Sequence, residues 1–440
     1  MAAHLTVARI LADVIGSDVA IGFRAFDGSS AGPPDAAVIL HVRHRLALNA
    51  IVTAPGDLGL ARAYVAGHLD IDGDTYDALR LLARSSIGAL SWPERAQILK
   101  SLGPGVLRPV RPPPEEIRPG LWWGLRHSLG RDWRAISHHY DVSNRFYRFI
   151  LGPSMAYTCA VFPDEDASLE EAQEEKVDLV CRKLDLRSGQ RLLDVGCGWG
   201  TMVHHAAAHY GVRVLGVTLS RQQAEWGQAQ LADAGLAGRA EIRHADYRSV
   251  TEEGFDAISS IGLTEHIGAK NLPAYASFLA AKLRPQGRLL NHCITRPTTT
   301  AAVRASRGFI NRYVFPDGEI EAVGTIVGTL QDAGLEIRHA ENLREHYART
   351  TAAWSANLDA HWDLAVAEVG EGRARVWKLY LAGSRLGFDQ RRVELHQVLA
   401  TRSDEGAAAM PARPDFSRTA PSDVRPDVRP DVRPGSFTPG

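Results

Sequence analysis

The chain has 440 residues, 45% of them hydrophobic and 23% charged, and a formal net charge of −1. This length is enough for two domains plus tails, and the composition is that of an ordinary globular protein rather than a disordered chain. The balance of charge gives no reason to expect nucleic acid or another strongly anionic partner.

The four cysteines lie far apart and form no C-x-x-C pair. Neither a disulfide framework nor a zinc site is therefore expected, and a reducing cytoplasm is the natural setting. Residues 1–16 lack the basic start and long apolar core of a secretory signal. The sequence contains no run of about 18 apolar residues, so no membrane span is predicted. Peripheral attachment to the inner face of the membrane remains open.

Residues 1–101 predict a small α+β domain. Strand-like runs at 19–26 and 36–42 precede a helical pattern at 75–86, with a stretch rich in glycine and small residues between them. The change from alternating to helical periodicity is the basis of this interpretation.

Residues 102–120 contain repeated prolines, which forbid a continuous helix or central strand, so this stretch is interpreted as a linker. Aromatic and basic residues then recur at roughly helical spacing over 126–150. This pattern indicates a helix that packs its aromatic face on the core or, alternatively, a lid or membrane-facing element beside an active site.

Residues 121–402 predict an α/β domain with a doubly wound, mostly parallel sheet. Strand-like runs alternate with helical stretches, at 191–195, 212–217, 240–245, 255–262 and 287–295. Such alternation indicates a sheet that binds ligands at the carboxyl ends of its strands. Residues 403–440 contain the tetrapeptide DVRP three times, and this proline-rich tail is expected to be disordered.

The run RLLDVGCGWG, Arg191–Gly200, is the most informative local pattern. It predicts a buried strand that ends in Asp194 and a turn with glycines at alternate positions, followed by a helix. Glycines at such a turn let the backbone approach a ligand, and the helix N-terminus offers unpaired N–H groups. For a dinucleotide the third glycine comes one residue early, and the next strand runs into Thr218 without a carboxylate. NAD is therefore disfavoured and S-adenosylmethionine is favoured.

Four further segments place reactive side chains after strands or in loops that would converge on one cleft. They carry Tyr157, Thr158 and Cys159; Glu265 and His266; His292 and Ile294; and Tyr347. Taken singly, Cys159, His292 and Tyr347 are typical of core packing. Glu265 and His292 indicate function more strongly, because they follow successive strands at the ligand-binding edge. No G-x-S-x-G elbow occurs in the predicted α/β domain and no H-E-x-x-H pair occurs in the sequence, so neither a serine hydrolase nor a metal site is expected.

The run HHYDVSNRFYRFILGPSMAYTCAVF, followed by LLDVGCGWG and GVTLSRQQ, closely resembles the cyclopropane-fatty-acid synthase family. These are S-adenosylmethionine-dependent lipid methyltransferases that include the mycolic acid cyclopropane synthases. With IGLTEHIG, LLNHCIT, FINRYVFPDGE and HYARTTAAW, the resemblance covers roughly residues 134–399 and, more loosely, 56–74. It implies a Rossmann-like class I methyltransferase fold for residues 121–402 and a domain of the lipid-binding or dimerisation type for residues 1–101.

The resemblance also implies which residues form the site. The methionine part of the cofactor would lie against Tyr157, Thr158, Gly196, Cys197 and Gly198, and Asp194 and Gly200 of the same turn would also belong to the cofactor site. The ribose side would be held by Thr218, Leu219 and Gln223, and the adenine by Asp246 and Tyr247, where many relatives have a different pair. The positions that hold a bicarbonate ion at the reaction centre match Cys159, Glu265, His292, Ile294 and Tyr347. Asn291 and Cys293 depart from the family, which usually has an apolar residue and Thr there, and this leaves the shape of the acyl pocket open.

The expected reaction transfers a methyl group to the cis double bond of an unsaturated acyl chain on a membrane phospholipid. A carbocation deprotonated by bound bicarbonate would close to a cyclopropane. Alternatively, a hydride shift would give a methylene branch, which a separate reductase could saturate to a methyl branch. Small-molecule N-methylation and a non-catalytic binding protein are the remaining alternatives. We further expect a homodimer and peripheral contact with the membrane. The front domain, residues 1–101, and residues 122–149 would make that contact.

Overall fold

The computed structural model describes residues 6–16, 19–54, 56–84, 92–117, 143–300, 308–315 and 318–417. The stretch 118–142, with most of the predicted aromatic and basic segment, lies outside the described residues, as does the DVRP-containing part of the tail. None of the helices in the described ranges has the length and apolar character needed to cross a bilayer.

The front of the chain forms a four-stranded sheet with helices packed against it. Its elements are α1 Val7–Ile15, β1 Ile21–Ala25, β2 Ser30–Ala31, β3 Val38–Val42, α2 Leu46–Thr53, α3 Asp57–Val65, β4 Leu69–Asp72, α4 Thr75–Leu82 and α5 Trp92–Leu102. The strand order is β2-β1-β3-β4, with β1 and β3 parallel and the other pairs antiparallel. The strands alternate buried apolar and more exposed residues, as in β3, where Val38, Leu40 and Val42 are buried, and this places one face of the sheet on a core.

The described part of the predicted linker, residues 102–117, packs on the protein. Val106, in a short 3-10 helix, is 1% exposed, and the amide of Asn49 donates to the carbonyl oxygens of Gly105 and Arg108. Glu116 is also buried and bonded to Arg62 of α3. The prolines prevent a continuous helix or strand in this segment. The segment is nevertheless fixed, because its backbone groups form hydrogen bonds with other parts of the protein.

The second sheet has seven strands in the order β10-β11-β9-β8-β5-β6-β7. The strands are β5 Arg191–Val195, β6 Arg213–Thr218, β7 Ala240–His244, β8 Phe255–Ile261, β9 Leu283–Thr295, β10 Glu336–Asn342 and β11 Glu394–Thr401. The pairs among β5 to β9 are parallel, and β11 runs antiparallel between β9 and β10. The predicted doubly wound, mostly parallel sheet is confirmed, and β5 and β8 lie side by side at its centre.

Helices cover both faces of this sheet. They are α6 Asn144–Leu151, α7 Leu169–Leu184, α8 Thr201–Tyr210, α9 Arg221–Asp233, α10 Thr264–Ile267, α11 Leu272–Lys282, α12 Phe309–Tyr313, α13 Val323–Asp332, α14 Arg344–Ala360, α15 Trp362–Val369 and α16 Glu371–Asp389. Helix α7 begins with a capping box between Ser168 and Glu171, which satisfies backbone groups at its first turn. Its buried face also carries two lysines, Lys176 and Lys183, each at most 2% exposed.

Two segments near the ends of this domain pack against it. Helix α6 is the described end of the predicted aromatic and basic segment, and it buries Phe146, Tyr147, Ile150 and Leu151. This face supports core packing rather than a lid. Residues 403–417, which the sequence assigns to a disordered tail, also lie on the domain. Arg288 and Arg182 donate to the carbonyl oxygens of Ala409 and Phe416, so side chains of the domain hold this backbone in place.

Candidate active site

The predicted glycine turn lies at the carboxyl end of β5 and is fastened to its neighbour β6. The amides of Gly196 and Cys197 both donate to the carbonyl oxygen of Val217, at 2.9 and 3.0 Å. Gly200 has φ +87°, and a Cβ there would come within 2.3 Å of the Ile242 side chain. Gly198 has φ +56°, but a Cβ there would meet no atom within 4 Å. Gly200 is therefore required by packing, while Gly198 leaves open space beside the backbone, as an adenosine-containing ligand needs.

The three residues predicted for the ribose side follow β6. The hydroxyl of Thr218 donates to Gln223 Oε1 at 2.8 Å, and both side chains are buried. The Ser220 hydroxyl caps α9 by accepting a hydrogen bond from the backbone N–H of Gln223. The carbonyl oxygen of Leu219 lies 3.1 Å from His244 Nε2. The cap holds Gln223 against the end of β6, so the structure brings Thr218, Leu219 and Gln223 together beside the glycine turn.

Asp194 lies beneath the turn. Its carboxylate accepts a 2.6 Å hydrogen bond from Ser259 on β8, and the residue is 2% exposed. Burial raises the pKa of Asp194 to about 6, against the opposing effects of Ser259 and Lys176. The side chain therefore joins β5 to β8 and supports the turn from below.

Helix α7 holds the loop that carries Tyr157, Thr158 and Cys159. Gln173 donates to the Thr158 carbonyl at 2.9 Å, and Lys176 donates to the Thr158 hydroxyl at 3.0 Å. Burial lowers the pKa of the Lys176 ammonium to about 8. Tyr157 contacts a different element, since its hydroxyl lies 3.1 Å from the Tyr380 hydroxyl on α16. The loop is thus fixed from two sides.

The pair predicted for the adenine end lies in a short 3-10 turn after β7. The Asp246 carboxylate accepts from the backbone and guanidinium of Arg248, at 2.6 to 2.9 Å. The Tyr247 ring packs edge-on against Tyr275 and Phe278 of α11. Both side chains are engaged with protein groups, so their part in cofactor binding stays a prediction.

Glu265 follows β8 and points back to the end of β9. Its Oε1 accepts from the Ile294 amide at 2.7 Å. Its Oε2 is buried and has no hydrogen-bond partner among the described residues. Burial raises the pKa of Glu265 to about 7, although the Ile294 hydrogen bond acts in the opposite direction. The carboxylate therefore presents one buried oxygen that can accept a proton or a hydrogen bond.

His292 lies on β9, two residues before Ile294, and is 1% exposed. Its Nδ1 lies 3.2 Å from Nε2 of Gln397, and its own Nε2 is buried without a hydrogen-bond partner in the described part of the chain. Burial lowers the pKa of His292 well below its ordinary value, and Lys176 and Lys183 add to this effect. The ring is therefore neutral at neutral pH.

The three other predicted catalytic residues share one apolar cluster. Cys159 and Tyr347 are buried in it, and Ile294 packs against it. Burial raises the pKa of the Cys159 thiol far above its ordinary range, so the thiol is not a nucleophile. The Tyr347 ring stacks on Phe388, with centroids 4.4 Å apart. Ile294 links this cluster to Glu265, because its side chain packs against the cluster and its amide donates to the Glu265 carboxylate.

Three residues at this site are not among the predicted ones: Lys176, Gln397 and Tyr380. The two lysines of α7 occupy positions on its apolar face, beside Val177 and Leu184. A lysine on a buried helix face is rare unless it has a partner. The position of these lysines in the sequence pattern could therefore have marked them as residues with a buried partner. Gln397 and Tyr380 belong to the last strand and helix, far from the recognised motifs, so nothing local marked them.

The two residues that depart from the family pattern are buried and bonded to each other. The Asn291 amide donates to Cys293 Sγ at 3.3 Å, and Asn291 Oδ1 accepts from the Thr264 hydroxyl at 2.7 Å. Thr264 begins α10, the short helix that carries Glu265. This bond therefore ties the helix of Glu265 to the strand of His292.

A family model described as mycolic acid cyclopropane synthetase matches residues 127–398. A probable fatty acid methyltransferase of Mycobacterium tuberculosis is 53% identical over 402 residues, which cover 89% of this chain and 93% of the relative. The cyclopropane-fatty-acyl-phospholipid synthase of Escherichia coli is 34% identical over 278 residues, which cover 63% of this chain and 70% of the relative.

Solved structures of cyclopropane synthases are also similar to this chain. The cyclopropane synthase MmaA2 from Mycobacterium tuberculosis has a TM-score of 0.58 at 32% identity, and the match covers 61% of this chain and 98% of that one. The mycolic acid cyclopropane synthase CmaA1, complexed with SAH and CTAB, has a TM-score of 0.57 at 31% identity, with coverage of 61% and 98%. These similarities confirm the predicted class of α/β fold.

Proposed function

The chain belongs to the mycolic acid cyclopropane synthetase family, and on that premise we propose which acceptor, product and base it uses. It is an S-adenosylmethionine-dependent methyltransferase acting on lipid double bonds. The proposed acceptor is the cis double bond of an unsaturated acyl chain on a membrane phospholipid, and the proposed product is a cyclopropane fatty acid. The observation that carries this proposal is two buried atoms, Glu265 Oε2 and His292 Nε2, that have no hydrogen-bond partner among the residues the structure describes.

S-adenosylmethionine, when bound, supplies an electrophilic methyl group. The residues that would hold it are those around the glycine turn and the end of β6: Tyr157, Thr158, Gly196, Cys197, Gly198, Thr218, Leu219 and Gln223. Asp246 and Tyr247 would complete the site at the adenine end. The open space beside Gly198 fits this assignment, because a side chain there would occupy room that a ligand needs.

Bicarbonate is the proposed base, and it would supply a proton acceptor where the acyl chain has become cationic. His292 Nε2, the Tyr347 hydroxyl and a backbone N–H near Cys159 would hold its oxygens. Glu265 Oε2 would accept its O–H and take the proton onward. One orphaned ring nitrogen and one orphaned carboxylate oxygen fit an ion that both accepts and donates hydrogen bonds.

The aromatic side chains around Tyr157 would keep water from the reacting carbon. Tyr157 packs against Trp354 and Trp377, with centroids 5.4 and 5.8 Å apart, and both tryptophans are at most 3% exposed. Water would quench a carbocation, so the site must exclude it until the proton has left. The buried aromatic cluster supports a reaction of this kind over methylation of a small polar amine.

A second product has its own support. The relative that is 53% identical is named as a probable fatty acid methyltransferase rather than a cyclopropane synthase. The same methyl transfer followed by a hydride shift would give a methylene branch, which a separate reductase would saturate to a methyl branch. Both routes use the same site residues and differ in the carbon that loses its proton.

Contact with the inner face of a membrane is proposed for the front domain, residues 1–101, together with the segment 102–117 that packs on it. Leu46 and Leu107 are large apolar residues, 36% and 55% exposed. The exposed basic residues Arg45 and Arg108 flank them in sequence. Apolar side chains beside basic ones suit a surface of anionic phospholipid. The cytoplasmic location and the homodimer stay predictions.

The test is methyl transfer from labelled S-adenosylmethionine to vesicles of dioleoyl phosphatidylglycerol, with dipalmitoyl vesicles as the saturated control. We expect label in the unsaturated lipid alone, and mass spectrometry of the released fatty acids distinguishes ring from branch by fragmentation. Label in a soluble amine but in neither lipid would contradict the proposal.

Two variants test the site assignment. Glu265→Gln and Tyr347→Phe should each lose most of the turnover while binding S-adenosylmethionine as the wild type does, measured by calorimetry. Glu225→Gln, on an exposed side chain of α9, is the matched control and should remain fully active. Normal activity in both site variants would refute the assignment.

A further inference from the structure

Directly beside the proposed reaction centre, three buried side chains form a chain of hydrogen bonds. Lys183 Nζ donates to Gln397 Oε1 at 2.7 Å, and Gln397 Nε2 lies 3.2 Å from His292 Nδ1. All three residues are at most 1% exposed. They come from α7, β11 and β9, and His292 and Gln397 are direct partners in the register of β9 and β11. This pairing places the two side chains next to each other on one face of the sheet.

The hydrogen bond from Lys183 to Gln397 determines the direction of the hydrogen bond between Gln397 and His292. An ammonium group only donates, so the Gln397 atom that faces Lys183 must be the carbonyl oxygen. The other end of the same amide is then an NH₂ group, which also only donates. His292 Nδ1 must therefore accept, and in a neutral imidazole the proton then lies on Nε2.

The charge of Lys183 is held in place. Its ammonium donates to Glu341 Oε2 at 2.5 Å, and it lies 5.8 Å from the centre of the Phe416 ring. Burial lowers the pKa of Lys183, and Glu341 opposes this effect by favouring the ammonium form. Phe416 belongs to the segment after β11 that covers this side of the domain. The donor that orients Gln397 is thus itself fixed by a carboxylate and an aromatic ring.

We infer that Gln397, oriented by Lys183, is a positioning residue that fixes His292 in the Nε2–H tautomer. The atom that results is a buried N–H donor with no partner within the described ranges, and Glu265, which bonds to Ile294 at the end of β9, presents a buried acceptor. The other tautomer would present a lone pair there, which repels an anion. The consequence for turnover rests on the proposed function, whereas the tautomer itself does not.

The tautomer is measured directly on the full-length protein. Samples labelled with 15N in histidine give distinct shifts for protonated and unprotonated ring nitrogens, and the spectrum of His292→Asn identifies the signal. We expect Nε2 protonated and Nδ1 unprotonated in the wild type near pH 7. A wild-type spectrum with the proton on Nδ1 would overturn the inference without any variant.

Gln397→Glu reverses the hydrogen bond and keeps the shape of the side chain. A carboxylate accepts from Lys183 and also from His292, so we expect a proton on Nδ1 in this variant. Gln331→Glu, an exposed change on α13, is the matched control and should leave the His292 signal unchanged. An unprotonated Nδ1 in a folded Gln397→Glu protein would refute the role of Gln397.

Lys183→Met is the second variant, and it serves if the first does not fold. Without Lys183, the Gln397 amide is free to rotate, and both His292 tautomers should be detected. A single Nε2–H signal in this variant would show that Lys183 does not set the orientation.

Turnover provides a separate readout. We expect Gln397→Glu to lower kcat at least tenfold with little change in the Kd for S-adenosylmethionine. A changed tautomer with full turnover would leave the structural inference standing and would contradict the anion-binding role proposed for His292. The failure of one proposal is therefore distinguishable from the failure of the other.

Discussion

Glu265 shows how burial sets the chemistry of a single residue. Burial raises the pKa of its carboxyl group to about 7. Near neutral pH the group therefore exchanges a proton readily, which suits a residue that takes a proton from a bound base. Because the folded protein binds this proton more tightly than the unfolded chain, ionisation of Glu265 disfavours the folded state.

The pH dependence of turnover follows from this pKa. We expect kcat, measured at constant bicarbonate concentration, to fall as the pH decreases through about 7, because the protonated carboxyl no longer accepts a proton. An acidic limb near the ordinary glutamate value of about 4.5 would show that another group controls the rate.

Stability should change in the opposite direction. Wild-type stability should fall as pH rises from the ordinary glutamate range to about 7, with a total effect of roughly 3 kcal/mol for a shift of this size. Glu265→Gln should lack this component. Urea unfolding of both proteins at pH 5 and pH 8 measures it, and parallel pH dependences would contradict the shift.

At the scale of elements, the glycine turn separates residues needed for folding from residues needed for binding. Gly200 is crowded by Ile242, whereas Gly198 is open. The sequence marks both in the same way, since both are glycines of one motif. The distinction comes from a contact with β7, which lies more than forty residues further along the chain.

Two alanine substitutions test that distinction. Gly200→Ala should destabilise the protein by several kcal/mol, because a left-handed φ and a steric clash add. Gly198→Ala should cost about 1–2 kcal/mol but weaken binding of S-adenosylmethionine strongly. Thermal unfolding and calorimetric titration measure the two effects. Equal effects of both changes on binding would contradict the assignment.

Elements with a local signal were predictable. The alternation of strands and helices from β5 to β9 predicted the parallel sheet, because each element carries its own periodicity. The antiparallel insertion of β11 was not predictable in this way, since strand order depends on contacts across the whole domain. Gln397 belongs to that unpredicted strand, and for the same reason its relation to Lys183 and His292 could not be predicted from the sequence.

At the scale of the molecule, one ion pair joins three separate parts of the chain. Arg62 of α3 binds Glu116 of the segment 102–117 through two hydrogen bonds, at 2.6 and 2.7 Å. Tyr313 of α12 donates to the same carboxylate at 3.2 Å. The Phe309 amide, at the start of α12, donates to Asp57 at the start of α3. The front domain therefore contacts the large domain through specific, mostly buried polar groups.

Arg62→Met tests this junction. The Glu116 side chain is 2% exposed, and Arg312 remains as a second cation 4.0 Å from its carboxylate. The loss should therefore stay below about 3–5 kcal/mol, the cost expected when a buried carboxylate loses every ion-pair partner. The double variant Arg62→Met, Glu116→Gln should recover part of the loss, because the amide carries no charge. Urea unfolding of both single variants and of the double variant measures their free energies of unfolding. If the losses of the two single variants simply add in the double variant, a direct pair is contradicted.

The position of β11 has a consequence for synthesis of the protein. Gln397 follows His292 by 105 residues, so at about 5–20 residues per second a ribosome adds it roughly 5–20 s later. Until then the gap between β9 and β10 exposes two unpaired strand edges, a kind of surface that promotes aggregation. The nascent chain therefore needs protection from other copies until its final strand emerges, and a message cut short before that strand encodes a protein whose sheet cannot close.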